Sequence, residues 1–340
     1  MDGWDRVGRI AGYAAALALT PYVFIKASWV VGSLVGALPV GAGFTTAGWV
    51  LLNTVTIGMA AAGIAVALTL VRPWGRRVPG RPLAFCAWVA VGFLVPLLPY
   101  AVLGWLFGPA DGQVEARRGD DPVMPGWEPA LVQIGFVGMG LGLALALPAY
   151  LRSRWPEVFA GRLDSGSRRQ ILLLRGAVLA CGVVGLAWLS WSAGFTVAVE
   201  HPAARDLNWR LLTGLSGAWA LIAGMAACML QREGPTRLPH WIPASAAWIG
   251  SGSLFAWSGW KLAFTLYLMA ARPAGASLPE DLAVAACLHA AAFVAGATLA
   301  RALARGAVRG RHAGSNTPRL DTQLRAPRER LRFGRRGGGE

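Results

Sequence analysis

Along this chain, long apolar stretches alternate with short segments rich in arginine, proline and glycine. About 20 apolar residues, wound as a helix, cover the roughly 30 Å hydrocarbon core of a bilayer. Eight stretches of that kind can be read, over 10–34, 47–71, 82–107, 128–151, 176–199, 209–230, 241–269 and 282–303. No charge falls between Lys26 and Arg72, so the first two stretches are divided only by the turn region at Pro39, Gly41 and Gly43, and a tight outer hairpin is expected there. The pattern predicts an all-α integral membrane protein of eight transmembrane helices.

The chain also resembles itself. Shifted by 160 residues without a gap, Trp49 falls on Trp209, Arg72 on Arg232, Arg77 on Arg237, Pro79 on Pro239, Trp88 on Trp248 and Gly92 on Gly252. With a further two-residue adjustment, Ser28-Trp29 falls on Ser190-Trp191. Residues 1–155 and 170–304 therefore read as two four-helix repeats, joined by a basic cytoplasmic linker at 156–169. Four crossings return each half to the side where it started, so the repeat is expected to be parallel, with a pseudo-two-fold along the membrane normal. Residues 305–340, rich in Arg, Gly and Pro, are expected to form a disordered basic cytoplasmic tail.

A smaller motif recurs in the outward-going spans, as Trp29 with Gly32, Trp105 with Gly108, Trp191 with Gly194 and Trp260 with Ala263. Its expected role is interfacial anchoring by Trp and close helix packing at the small residue. The first copy, Trp29-Val30-Val31-Gly32-Ser33-Leu34-Val35-Gly36, resembles the W-x-x-G-G-x-x-G signature of uncharacterised actinobacterial four-helix membrane proteins. The resemblance covers about one span and implies an architecture without an activity.

Composition narrows the class further. Of 340 residues, 55% are apolar and 14% charged, against roughly 25% charged in a soluble domain, which excludes a water-soluble globule. The net charge of +15 is mostly arginine on one set of connections. Arg6, Arg9, Arg72, Arg76, Arg77, Arg81, the Arg152–Arg175 group, Arg232, Arg237 and the tail lie there; the other set holds Arg117, Arg118, Arg205, Arg210 and Arg272. Positive residues are retained inside, so both termini are expected in the cytoplasm of a bacterial cell membrane. The same bias explains the basic charge without nucleic acid; the expected partners are the lipid bilayer and, at the tail, anionic lipid. The first stretch is read as a retained helix rather than a signal peptide. Cys86, Cys181, Cys228 and Cys287 lie within spans without metal-ligand spacing, so they are expected to act as small apolar residues, with no metal or cofactor.

Chemistry is sparse. The two lysines, Lys26 and Lys261, both lie within apolar spans, and His289 lies at a similar depth, roughly 12 Å from the outer ends. An ammonium in hydrocarbon costs about 2.5–3.5 kcal/mol, so these residues are candidates for an anion or ligand site. The alternative is that the lysines snorkel outward to Glu128, Glu200, Asp206, Glu280 or Asp281. Pro21, Pro96 and Pro99 are expected helix breaks. Gly135, Gly138, Gly140 and Gly142 offer close-packing faces. No nucleophile elbow, phosphate loop, zinc-protease motif or paired carboxylate within a span appears, so no catalytic residue is assigned. Three readings remain: a non-catalytic membrane or envelope component, expected first; a transporter or channel for a small or anionic solute, with its site between the repeats; and an enzyme acting on a lipid carrier.

Overall fold

The computed structural model describes residues 3–40, 45–107, 127–154, 167–231, 238–271 and 278–315. In chain order these form α1 (Gly3–Leu34), α2 (Thr46–Val71), α3 (Gly80–Leu94), α4 (Leu97–Phe107), α5 (Trp127–Arg154), α6 (Arg168–Ala193), α7 (Leu207–Gln231), α8 (Trp241–Ala271) and α9 (Leu282–Ser315). Local chemistry sets several starts. Thr45 accepts the Gly48 amide ahead of α2, Asp206 the Trp209 amide ahead of α7, and Asp281 the Val284 amide ahead of α9.

Among the described residues, seven helices are long and apolar enough to cross a membrane, with α3 and α4 together counting as one span over 80–107. Their outward faces carry Leu17, Phe24, Leu179, Val183 and Leu186, while the inward faces are largely Ala and Gly. Apolar side chains displayed this widely suit a hydrocarbon surrounding and would be a liability in water. The chain is thus an all-helical protein of multi-pass membrane type. Helix α8 is not among the seven, because Ser245, Ser251, Ser253, Ser258 and Lys261 dilute its apolar character.

The helices gather around two apolar cores. In the first, α1 lies between α2 and α5, and α3 closes the group. Glycine brings α5 onto α1: a Cβ at Gly138 would stand 2.6 Å from that of Ala18, and one at Gly142 would stand 2.7 Å from the Ala11 carbonyl. The second core belongs to α6, α7, α8 and α9. There Gly185 and Gly217 face each other between α6 and α7, each carbonyl within 3.0 Å of where the other's Cβ would be. The two groups meet where α3 crosses α8. Gly92 packs onto the backbone of Gly252, the Trp88 indole donates to the Trp248 carbonyl (3.1 Å) and to Ser251 Oγ (3.2 Å), and the Trp257 indole donates to the Phe93 carbonyl (3.0 Å). Partners advance together along both helices, so α3 and α8 run in the same direction. Beyond the crossing, α4 lies on α7, with Tyr100 Oη donating to Asn208 Oδ1 at 3.1 Å.

Several expectations need correction. Pro21 does not break α1, which continues through it; packing on α2 and α5 along its length outweighs the roughly 3 kcal/mol of an interior proline. Pro96 and Pro99 do divide the third span. Pro96 falls between α3 and α4, Pro99 in the first turn of α4 where an amide is dispensable, and Leu98 N bonds back to the Val95 carbonyl in a tight turn. The fifth stretch ends at Ala193 rather than 199, because Gly194 adopts φ +109° and reverses the chain. Helix α9 runs on to Ser315 instead of yielding to a tail at 305, in keeping with its Ala and Arg content. The rest of the expected tail, Gly41 and Gly43 of the hairpin, Gly108, and linker residues 156–166 lie outside the described residues.

Candidate functional site

Helix α8 carries the site. Ser253, Trp257 and Lys261 recur every fourth residue and so share one face. That face lines two small adjoining cavities of about 10 and 20 Å³, room for about one water each. Trp188 of α6, Ser216 of α7 and His289 of α9 complete the first cavity, together with Leu254 and Ser258. The second is walled by Leu212, Leu215 and Trp219 of α7 and by Pro96 and Leu97 at the division of the third span. Small residues permit this convergence: a Cβ at Gly250 would press on Ala223 of α7, and one at Gly259 would press on Phe293 of α9.

The polar groups here are short of partners. Among the described residues, Lys261 Nζ, the Ser253 and Ser258 hydroxyls and the Trp188 indole N–H form no hydrogen bond. His289 is 4% exposed, its ring lies 5.2 Å from that of Trp188, and its Nδ1 is buried without a partner. Ser258 is 2% exposed. More than nine in ten buried polar groups find a partner, and each that does not costs about 1–3 kcal/mol. At these cavities His289 Nδ1 is the one such buried atom among the described residues.

A cap covers the nearby helix ends. Val199 and Glu280 form an isolated bridge, His201 N donates to the Pro279 carbonyl, and Asp281 N donates to the Ala198 carbonyl. This turns Glu280 inward to 7% exposure, where Oε2 accepts the Trp209 indole at 3.1 Å. Its carboxylate acts electrostatically on Lys261, and the Lys261 charge acts in turn on His289. Glu280 was expected at the outer surface; the cap folds it under.

Lys26 belongs elsewhere. Its ammonium donates to Asn53 Oδ1 at 2.9 Å and stands 3.9 Å over the Trp29 ring, which stacks on Trp49 at 5.9 Å. Asn53, 1% exposed, gives its amide to the Trp49 carbonyl at 2.8 Å. A cation over an indole gains about 0.5–2 kcal/mol, so this lysine is held within the α1–α2 pair. It lines neither of the two cavities at Lys261. Of the three candidates, the fold unites Lys261 and His289 only.

The recurring Trp motif has no common role. Trp105 is 81% exposed, suiting an interfacial anchor, and Trp260 is partly exposed. Trp191 is buried, with its indole on the Val197 carbonyl at 2.7 Å. Gly32 does not join two helices: it sits under Leu38 and accepts the Ala37 and Leu38 amides as the chain turns after α1. Gly194, another expected packing residue, has open space where its Cβ would be and serves as a helix stop.

Sequence reasoning passed over Trp188, Trp257, Ser253 and Ser258, and named Glu280 only as one of five carboxylates that a lysine could meet. The signal for three of them was present, since Ser253, Trp257 and Ser258 sit one or two turns before Lys261 in the least apolar stretch. Compared with protein-family models, with curated proteins and with solved structures, the chain matches none.

Proposed function

We propose that this chain is a transporter of a small solute in a bacterial cell membrane, built from two four-helix halves of like orientation with both termini in the cytoplasm. The carrying observation is the pair of small cavities at Lys261, where the unpartnered His289 Nδ1 and the division of the third span meet the polar face of α8. Interrupted helices beside midplane sites are a recurring device of transporters. The contacts between α3 and α8 support the repeat, because Trp88 meets Trp248 and Gly92 meets Gly252, pairs 160 residues apart that are each other's counterparts. Residues that touch their own equivalents lie beside a two-fold axis, and helices running the same way require that axis along the membrane normal. Arginine asymmetry supports the orientation. Against a purely scaffolding envelope component stands the placement of both lysines, each turned to an interior partner or cavity and away from the outer surface.

The test is cysteine accessibility. With the four native cysteines replaced by alanine, Ser258→Cys should react in cells with a small membrane-impermeant thiol reagent, and Val197→Cys on the cap should react as the positive control. Labelling at Val197→Cys with none at Ser258→Cys, from either side of the membrane, would remove the transporter reading.

A further inference from the structure

The cavities at Lys261 have the size of single waters, and a water held in a protein interior needs roughly two to four polar partners. The first cavity supplies them, since Lys261 and Ser258 of α8, Ser216 of α7 and His289 of α9 all line it. His289 makes the clearest demand: its Nδ1 is buried without a partner, on a side chain 4% exposed. The charges here also interact, with Glu280 acting on Lys261 and Lys261 on His289. The remaining walls, from α6, α7 and the divided third span, bring no titratable group.

We propose that Lys261 and His289 form an intramembrane proton site bridged by one buried water, and that the proton held there is coupled to movement of the solute. The water accepts from Lys261 Nζ and donates to His289 Nδ1, in the tautomer that keeps the ring hydrogen on Nε2. Transfer is then a paired shift: the ammonium gives a proton to the water oxygen as the water gives one to Nδ1. The products, an amine and an imidazolium, carry the same single positive charge as the reactants. No second charge is created in the hydrocarbon, and the water is left as it began. Imidazoles and carboxylates are recurring carriers of protons through membranes, and Glu280, folded under the cap, is the carboxylate whose charge reaches the pair. A metal cation in the same space would meet the Lys261 ammonium. An anion would satisfy that ammonium and leave the acceptor nitrogen of His289 without a donor.

This inference rests on the transporter reading, and the experiment keeps the two apart. The full chain is placed in vesicles of phosphatidylcholine and phosphatidylglycerol with a pH-sensitive dye inside, and a potassium gradient with valinomycin makes the interior negative. Protons should enter faster than in empty vesicles, equally in chloride and in gluconate. Lys261→Met and His289→Phe should each cut that flux roughly tenfold or more. Because those variants could misfold, Ser258→Val is added, which keeps both titratable groups while a methyl takes the place of the water, and it should cut the flux as deeply. Lys26→Met, whose lysine lines neither cavity, should leave the flux unchanged. In nanodiscs, NMR of histidine-labelled protein should show water in contact with His289 Nδ1, and Ser258→Val should lose that contact. Any of four results overturns the proton site: no flux above empty vesicles, a flux that vanishes in gluconate, a flux undiminished in Lys261→Met, His289→Phe or Ser258→Val, or an Nδ1 without water. If Ser258→Cys still labels under those results, transport driven in another way stands; if it does not label, the transporter reading falls first.

Discussion

Adding one methyl group at Gly92 probes how closely the two helix groups are joined. A Cβ there would overlap the Gly252 carbonyl carbon and oxygen, and these are backbone atoms without a rotamer in which to retreat. Overpacking a close-fitted contact costs about 1–3 kcal/mol, and a backbone neighbour puts Gly92→Ala at the upper end, near 3 kcal/mol. Alanine's better helix propensity returns only about 1 kcal/mol, leaving a net loss of about 2 kcal/mol. Gly252→Ala should cost a similar amount, since its Cβ would stand 2.8 Å from the Trp88 carbonyl and 3.2 Å from Gly92 Cα. Both methyls invade one gap, so once the helices have parted for the first, the second adds less than its own cost. The control is Gly58→Ala, where nothing lies within 4 Å and propensity alone should leave stability equal or raised. Thermal melting of the four variants in one detergent reads the series. A Gly92→Ala protein that melts with Gly58→Ala would refute the reasoning, as would strictly additive losses in the double variant.

Other outcomes follow from single contacts. Trp88→Phe removes the donor to the Trp248 carbonyl and Ser251 while keeping most of the ring, and should cost about 1–2 kcal/mol by thermal melting. Asn53→Leu takes away one acceptor of Lys26 and should cost about 1–3 kcal/mol; adding Lys26→Met should recover part of the loss, because the less well-partnered ammonium leaves with it. Reporter labelling should find Trp74→Cys reactive only from the cytoplasm and Val197→Cys only from outside, and the reverse pattern would invert the topology. Arg205→Ala should lower stability by about 0.5–1 kcal/mol in a melt at low salt, since the guanidinium covers the Phe195 carbonyl at 2.9 Å and the Trp191 carbonyl at 3.4 Å where α6 ends.

What could be read from the chain was whatever a bilayer imposes on composition. Span positions follow from length and apolarity, and seven of the eight expected stretches correspond to helices that satisfy both. The divided third span was legible because Pro96 and Pro99 lack an amide wherever they stand. Pro21 misled because a proline marks a lost bond, and whether a helix parts there depends on neighbours that sequence does not display. Gly194 carries the same letter as a packing glycine, yet its φ of +109° comes from chain reversal. The site was half visible. Lys261 and His289 stood out by rarity and depth, whereas Glu280 was hidden because its burial depends on a cap formed between residues far apart in the chain. Lys26 looked equivalent to Lys261 by depth alone; what separates them is Asn53, one helix away, which accepts from one ammonium while the other lies by the cavities within reach of Glu280's charge.

The glycine crossing of α3 and α8 has a mechanical side. Backbone meets backbone at Gly92 and Gly252, and the rings of Trp88 with Phe255 and of Phe93 with Trp257 interlock on either side of that point at 4.8 and 5.3 Å. A close contact fenced by bonded indoles resists sliding and rocking alike, because either motion must break the Trp88 and Trp257 hydrogen bonds as well as the packing. The crossing is therefore a rivet between the two helix groups, and Tyr100 on Asn208 adds a second fastening further along.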